Sequence, residues 1–465
     1  MKLIAPLFLI LLFTACQSPT PVTDCDKPRV VILTDVSFHE TDDSESMVRL
    51  MAHADLLEIE GIVLTTGWNI VDNVERYQEL IDAPIDAYAK DVENLMKRSA
   101  QTAFAADEER QKIGYWPSAE YLRERAVVGS NCRGIANIGK GNDSDGSRLI
   151  IRLVDEADER PLWICAWGGA NTLAQAIWRV QQERSEDELE DFLEKLRLYT
   201  ITDQDVDIND FRIKKDYRFS SHFWMRQEFE EDLMILWDES AWKRQNGIGK
   251  HNWAEAERLI QPKGALGKVY PKYKFGVEGD SPSMFYLFPV GLSDPDEPTN
   301  GSWGGYFRRG VCMDSTTVAY TNWNSVDNPI SERYERYFYP AIFNNFAARM
   351  EWADKGEGNR NPIVVVNGEG GLDVIEVDAC EGDEVVLDAT GSSDPDGDTL
   401  SYRWWMLAEA GDYSGKIIVK QDQTATASFI MPEGDYDEIH MICEVTDGGT
   451  PALTSYRRVI VELDD

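Results

Sequence analysis

Cysteine is scarce in this chain: seven in 465 residues, with no Cys-x-x-Cys pair. That spacing excludes a clustered zinc site. No Walker sequence occurs, and the lone Gly-x-Gly at residues 139–141 is weak evidence for phosphate binding. Positive charge is also short. Lys and Arg total 46 against 83 Asp and Glu, a net charge of −37. Such a chain is repelled by nucleic-acid phosphates, so nucleic acid is not an expected partner. The acidity favours solubility and identifies no partner by itself. The apolar run at residues 3–13 is too short to span a bilayer in a mature protein. Placed after Lys2, it reads as an export signal.

What is present is enough for large cores: 43% hydrophobic and 11% aromatic residues. The length implies about two or three domains. Residues 1–16 form the signal segment, residues 17–27 a Pro/Thr-rich tether, and residues 355–361 a Gly/Asn/charged linker. Phe13-Thr14-Ala15-Cys16 followed by Gln17-Ser18-Pro19 resembles a bacterial lipoprotein signal. The resemblance implies lipidation of Cys16 and a membrane anchor, with Gln17 pointing to the outer membrane or periplasm of a Gram-negative cell. The other reading is an ordinary secretory signal with Cys16 merely nearby. Export permits disulfides, and Cys380 and Cys443 are the expected pair.

The chain is organised around residues 30–49. An apolar strand at residues 30–33 runs into an acidic loop with Asp35, Glu40, Asp42, Asp43 and Glu45. An amphipathic helix follows over residues 44–57, then a second strand ending at Gly67-Trp68. Strand, helix, strand at this spacing is a βαβ unit and predicts parallel pairing. Two further apolar runs behave alike. Residues 161–167 end at Gly168-Gly169-Ala170-Asn171, and residues 196–202 end at Asp203-Gln204-Asp205. Parallel strands deliver their polar tips to one sheet edge, where open α/β folds keep their sites. The acidic tips fit a Ca²⁺ site or a solvated helix start. The Asn142–Asp145 turn fits a solvated turn better than a cation site. The tryptophans read as core or as sugar-stacking platforms, with core favoured. Beyond residue 361 the texture changes to about seven short alternating strands, including residues 416–420, a pattern that suggests a β-sandwich.

Taken together, TDVSFHETDDSESMVRLM, IEGIVLTTGW, LWICAWGGANTLAQAI, LYTITDQD, VEGDSPSMFYLFPVGL, SWGGYF and NNFAARMEW resemble the DUF1593, or cellulose-binding Sde182-type, proteins. These have a nucleoside hydrolase-like domain followed by an Ig-like domain. The resemblance implies an α/β fold, a mostly parallel sheet flanked by helices, over residues 28–354. It implies an Ig-like (PKD/cadherin-like) sandwich over residues 362–465. Residue by residue it implies a Ca²⁺ site formed by Asp35, Asp42, Asp43, Asn171 (through a carbonyl) and Asp280. Asp35 would be the general base on a water at that cation. Three departures from the nucleoside hydrolases stand out. The Asp pair lies seven and eight residues after Asp35 rather than four and five, Gly279 replaces a His, and Trp68 replaces a sugar-binding Asn, with Asn69 adjacent. They favour a glycoside or glycan over a nucleoside. His39 or Glu40 becomes the candidate acid, and Trp68, Asn69, Trp167, Asp203 and Trp303 become candidate sugar contacts. The expected function is Ca²⁺-dependent hydrolysis of a glycosidic bond in a carbohydrate or N-glycoside. The alternatives are a non-catalytic, cellulose-like polysaccharide-binding lipoprotein and an envelope protein with a relic site.

Overall fold

Strands that are apolar at every position need cover on both faces, and that requirement sets the layers of this molecule. The computed structural model describes residues 25–68, 70, 72–206 and 216–464. Cys16 and Asn69 lie outside the described residues. The main sheet contains β1 (Arg29–Thr34), β2 (Glu58–Leu64), β3 (Ala126–Val128), β4 (Leu162–Ala166), β5 (Leu196–Ile201), β6 (Met234–Asp238), β7 (Arg308–Val311) and β8 (Val318–Thr321). Its order is β3-β2-β1-β4-β5-β6-β8-β7. Every neighbouring pair is parallel except β7–β8 at the edge. The chain leaves β1 outward through β2 and β3, then returns to β4 and proceeds the other way. The reversal opens a crevice between the carboxyl ends of β1 and β4.

Helices cover both faces. They are α1 (Asp42–Ala52), α2 (Glu79–Arg98), α3 (Ala119–Glu124), α4 (Asp145–Asp155), α5 (Asn171–Glu183), α6 (Glu186–Glu194), α7 (Ser221–Glu228), α8 (Ala241–His251), α9 (Trp253–Leu259), α10 (Gly264–Val269), α11 (Pro282–Phe285) and α12 (Asp327–Lys355). β1 shows the two-sided burial directly. Val30 and Ile32 enter the core shared with α1, α2 and α12, while Val31 and Leu33 enter the core shared with α4 and α5. Among the described residues no helix is long and apolar enough to cross a membrane. The amino edge of the sheet is electrically closed. Buried Arg29 pairs with Glu60 at 2.9 Å, and Arg160 pairs with Glu58 at 2.8 Å.

The C-terminal part is a β-sandwich of β9 (Ile375–Ala379), β10 (Glu384–Asp388), β11 (Ser401–Met406), β12 (Thr426–Ile430), β13 (Glu438–Thr446) and β14 (Thr454–Leu463). A sheet β11-β13-β14-β9 faces the pair β10-β12 across its own core. Residues 416–420 do not form the expected strand, and only Lys420 bridges, to Ser428. The expected Cys380–Cys443 disulfide is also absent. Cys443 is buried in the sandwich core opposite Trp404, while Cys380 is exposed beyond the end of β9, and both thiols are free.

The sandwich is fused to the first domain. Ile442, Tyr456 and Leu407 belong to the first domain's core. Buried Arg458 donates to the carbonyls of Leu292, Asn300 and Gly301 at 2.9–3.1 Å. Arg458→Ala would leave three buried carbonyls without donors, at a cost of about 3 kcal/mol or more. Calorimetry of the full chain should show one unfolding transition for the wild type. Its midpoint should fall in Arg458→Ala, and an unchanged midpoint would show that the contact is dispensable.

Candidate functional site

Asp35 follows the last residue of β1 and so lands in the crevice beside β4. Two glycines make room for it. A Cβ on Gly67 would lie 2.2 Å from Asp35 Oδ2, and one on Gly168 would lie 2.8 Å from Asp35 Cβ. The two strand–Gly turns therefore bring backbone up to the carboxylate where no larger residue fits. Asp42 and Asp43 open α1, where free N–H groups and the helix dipole favour negative charge. Thr34 Oγ1 donates to Asp43 and fixes it against the end of β1. Asp280 arrives from a distant segment just before α11.

Carboxylate oxygens of Asp42, Asp43 and Asp280 lie within 4.8 Å of one another, all in buried residues. Asp280 Oδ2 is buried and has no hydrogen-bond partner. Burial first, and the neighbouring carboxylates second, push all three groups well above the usual carboxylate range. Asp35 is 2% exposed, and its charge acts on both Asp43 and Asp280. Among the described residues no Lys or Arg pairs with Asp42, Asp43 or Asp280. Arg49, on α1, is held by Glu278 at 2.7 Å. Buried carboxylates of this kind need a cation to ionise together, and an all-oxygen donor set suits a hard ion such as Ca²⁺. The residues present thus fit the group that the resemblance implies.

The other expected site residues divide. Asn171 opens α5, and its side-chain amide accepts from Gly134 N at 2.7 Å and donates to Gly134 O at 3.1 Å, so the side chain is held at Gly134. In that turn it is Gly168 that touches Asp35. Glu40 is half-buried, and its charge reaches Asp42, Asp43 and Asp280. His39 is exposed, its ring 5.3 Å from Phe275. Trp68 is half-buried, donates to Val206 O at 3.1 Å and meets Trp242 edge-on at 6.3 Å. Trp167 and Trp303 are core residues, which corrects the expectation that they stack on sugar. Trp167 is 0% exposed and donates to Ser283 Oγ, while Trp303 is 2% exposed and meets Tyr456 edge-on. Asp203 groups with Asp205 and His222 instead of with the Asp42–Asp43–Asp280 cluster.

Comparison with known proteins bears on this arrangement. The profile described as "Cellulose-binding Sde182, nucleoside hydrolase-like domain" matches residues 29–307, and that of the "Cellulose-binding protein Sde0182, C-terminal domain" matches residues 384–463. The chain belongs to the cellulose-binding Sde182 family. A solved structure of a nucleoside hydrolase-related protein from Saccharophagus degradans, described as associated with carbohydrate metabolism, is 33% identical. The alignment covers 94% of this chain and 100% of that one, with a TM-score of 0.80. The PKD domain of the KIAA 1837 protein aligns with 20% of this chain and 81% of its own length, at 20% identity and a TM-score of 0.16. The type III effector XopQ, solved with adenosine diphosphate ribose, aligns with 70% of this chain and 95% of its own, at 11% identity and a TM-score of 0.31. No curated protein matches significantly.

Within the Sde182 frame the missing His at position 279 has a physical counterpart. A Cβ on Gly279 would lie 2.9 Å from Asp42 Oδ2 and 2.8 Å from Asn246 Nδ2. Asn246, on α8, fills the space that a side chain at 279 would need. Its Oδ1 is buried and unpartnered. Nothing in the polar stretch Arg244-Gln245-Asn246-Gly247 marks this residue, because its role depends on a long-range approach.

The Asp203–Asp205–His222 group is a supporting network for the same sheet edge. His222 Nε2 accepts the Ala170 N–H at 3.1 Å, so its lone pair is occupied. Asp203 accepts from Ser220 Oγ at 2.7 Å and from Arg226 at 3.4 Å, and Arg226 also binds Asp314. A guanidinium at that point opposes a metal ion. The network fixes Ala170 and with it the Gly168–Gly169 turn beneath Asp35. Burial holds His222 down to about 4, so it is neutral near pH 7. On acidification the unfolded chain takes up this proton first, near pH 6.5. The stabilisation is therefore complete above about 6.5 and lost as pH falls toward 4, worth about 3 kcal/mol. Urea unfolding between pH 7 and 4 should show a flatter pH dependence for His222→Gln than for the wild type. Parallel curves would exclude this role.

Proposed function

We propose that the chain is a divalent-cation-dependent glycosidase, with Ca²⁺ the fitting ion, that cleaves a glycosidic bond at the carboxylate cluster. The carrying observation is the set of buried carboxylates of Asp42, Asp43 and Asp280, with one oxygen unpartnered and no Lys or Arg in balance among the described residues. Asp35, Asp42, Asp43 and Asp280 would hold the ion. Bound there, it supplies a Lewis acid that favours deprotonation of water and orients sugar hydroxyls. Asp35 takes the proton from the attacking water and is held for this between Gly67 and Gly168. Asn246 Oδ1 accepts a sugar hydroxyl, and the half-buried Trp68 borders the sugar. Glu40 delivers a proton to the leaving oxygen, and the exposed His39 is outside that role. Cys16 anchors the chain to the envelope of a Gram-negative cell.

Calorimetric titration with Ca²⁺ should show binding that Asp280→Asn weakens at least a hundredfold. Asp35→Asn should lower sugar release from aryl glycosides and oligosaccharides by about 10²–10⁴-fold, the usual worth of a general base. Absence of both Ca²⁺ binding and sugar release would overturn the proposal.

A second reading, binding without cleavage, draws on Gly279 and on the cellulose-binding description of the family. Ca²⁺ binding with no sugar release from any glycoside, nucleoside or polysaccharide would select it.

A further inference from the structure

Two large aromatic rings stand half in water beside the carboxylate cluster. Phe38 is 51% exposed and Phe275 is 54% exposed. Single exposed apolar side chains need no explanation, but these two belong to distant segments that the fold ties together. Lys274 Nζ donates to the carbonyl of Phe38, and Lys274 N donates to Thr41 Oγ1 at 3.0 Å. The His39 ring lies 5.3 Å from Phe275, and the Tyr77 ring lies 5.4 Å from Phe38. Each segment runs directly into the site: Phe38 is four residues before Asp42, and Phe275 is five before Asp280. The extra residues between Asp35 and the Asp pair thus carry one exposed ring, and the segment leading to Asp280 carries the other.

We infer that Phe38 and Phe275, backed by His39 and Tyr77, form a platform for the apolar face of an outer sugar ring in a neutral oligo- or polysaccharide whose next ring reaches the carboxylates. The inference rests on the cluster being a sugar-binding centre, as proposed above. The C–H face of a pyranose matches an aromatic face in shape and polarity, and such rings supply contact area at low entropic cost. Neutrality follows from charge. The rim borders the Asp35, Asp42, Asp43 and Asp280 carboxylates, which outnumber the charges of one divalent ion, in a chain of net charge −37, so uronate or phosphorylated chains are repelled.

Affinity electrophoresis of the full chain tests this in gels containing hydroxyethyl cellulose, β-glucan, galactomannan or the anionic carboxymethyl cellulose. Wild type should be retarded by at least one neutral polymer and less by the anionic one. The Phe38→Ala/Phe275→Ala double variant should lose at least tenfold in apparent affinity, with its Ca²⁺ titration unchanged. No retardation of the wild type, equal retardation of the double variant, or stronger retardation by carboxymethyl cellulose would overturn the inference. Failure of the cluster reading is separately visible. Wild type would then bind no Ca²⁺, while the rim variant would still change polymer retardation.

Discussion

Buried negative charge at Asp42, Asp43 and Asp280, which no Lys or Arg among the described residues pairs with, is the constraint on which the rest of this structure depends. Taking a carboxylate out of water costs several kcal/mol even after relaxation. The start of α1 returns about 2 kcal/mol at best. Three carboxylates in one buried place therefore stay ionised together only around a cation. The surrounding residues act to keep further charge out. Glu45, beneath the cluster, is pushed up to about 10 chiefly by burial, so it holds its proton near neutral pH and adds no charge. Glu278 is paired with Arg49. At the opposite edge of the sheet Glu58 and Glu60 each meet an Arg. Among the described residues the two edges differ in that Arg29 and Arg160 close one, while no Lys or Arg pairs with Asp42, Asp43 or Asp280 at the other.

Topology explains why the open edge is the carboxyl edge. The β1/β4 reversal prevents the connections after these strands from covering the crevice between them. Asp35 enters it because Gly67 and Gly168 present bare backbone. Those turns are held from behind. Gln204 joins the ends of β2 and β4 by accepting from Trp68 N at 3.2 Å and donating to Trp167 O. His222 holds Ala170. The carboxylates can be kept close because the backbone around them is tied at several points, so the electrostatic strain does not relax by movement of one loop.

Much of this was legible in the chain, for physical reasons that vary by residue. The strands β1, β2, β4 and β5 announce themselves because each carries an apolar run buried on both faces, with charged residues only near the amino edge of β1, β2 and β5. Asp35, Asp42, Asp43 and Asp280 stand at the ends of such runs, where acidic residues have local meaning. β6, by contrast, lies in an aromatic-rich stretch with no clear period. The Asn171 side chain closes a local loop at Gly134, a contact that the spacing does not reveal. Asn246 and His222 act through contacts made only after folding. The tryptophans were hardest to place, since composition counts rings and cannot report which are covered. Trp167 sits beneath α11, and Trp303 lies against the sandwich.

Exposure also bears on where a glycan would contact the protein. Among the described residues the sandwich has buried or half-buried aromatics such as Trp404, Trp405, Tyr413 and Tyr436, and none that is exposed. Among the described residues the exposed Phe and Tyr rings, Phe38, Phe104, Phe219, Phe275 and Tyr337, belong to the first domain. Tyr337 faces the sandwich, where it donates to Glu444 and meets Trp405. The sandwich thus directs its aromatic surface inward, to its own core and to α12, and its β14 locks the loop at residues 290–301 through Arg458 and Tyr456. It has a shared core and buried hydrogen bonds at the joint. Its hydrogen bonds brace the loop at residues 290–301, which follows the segment that carries Asp280.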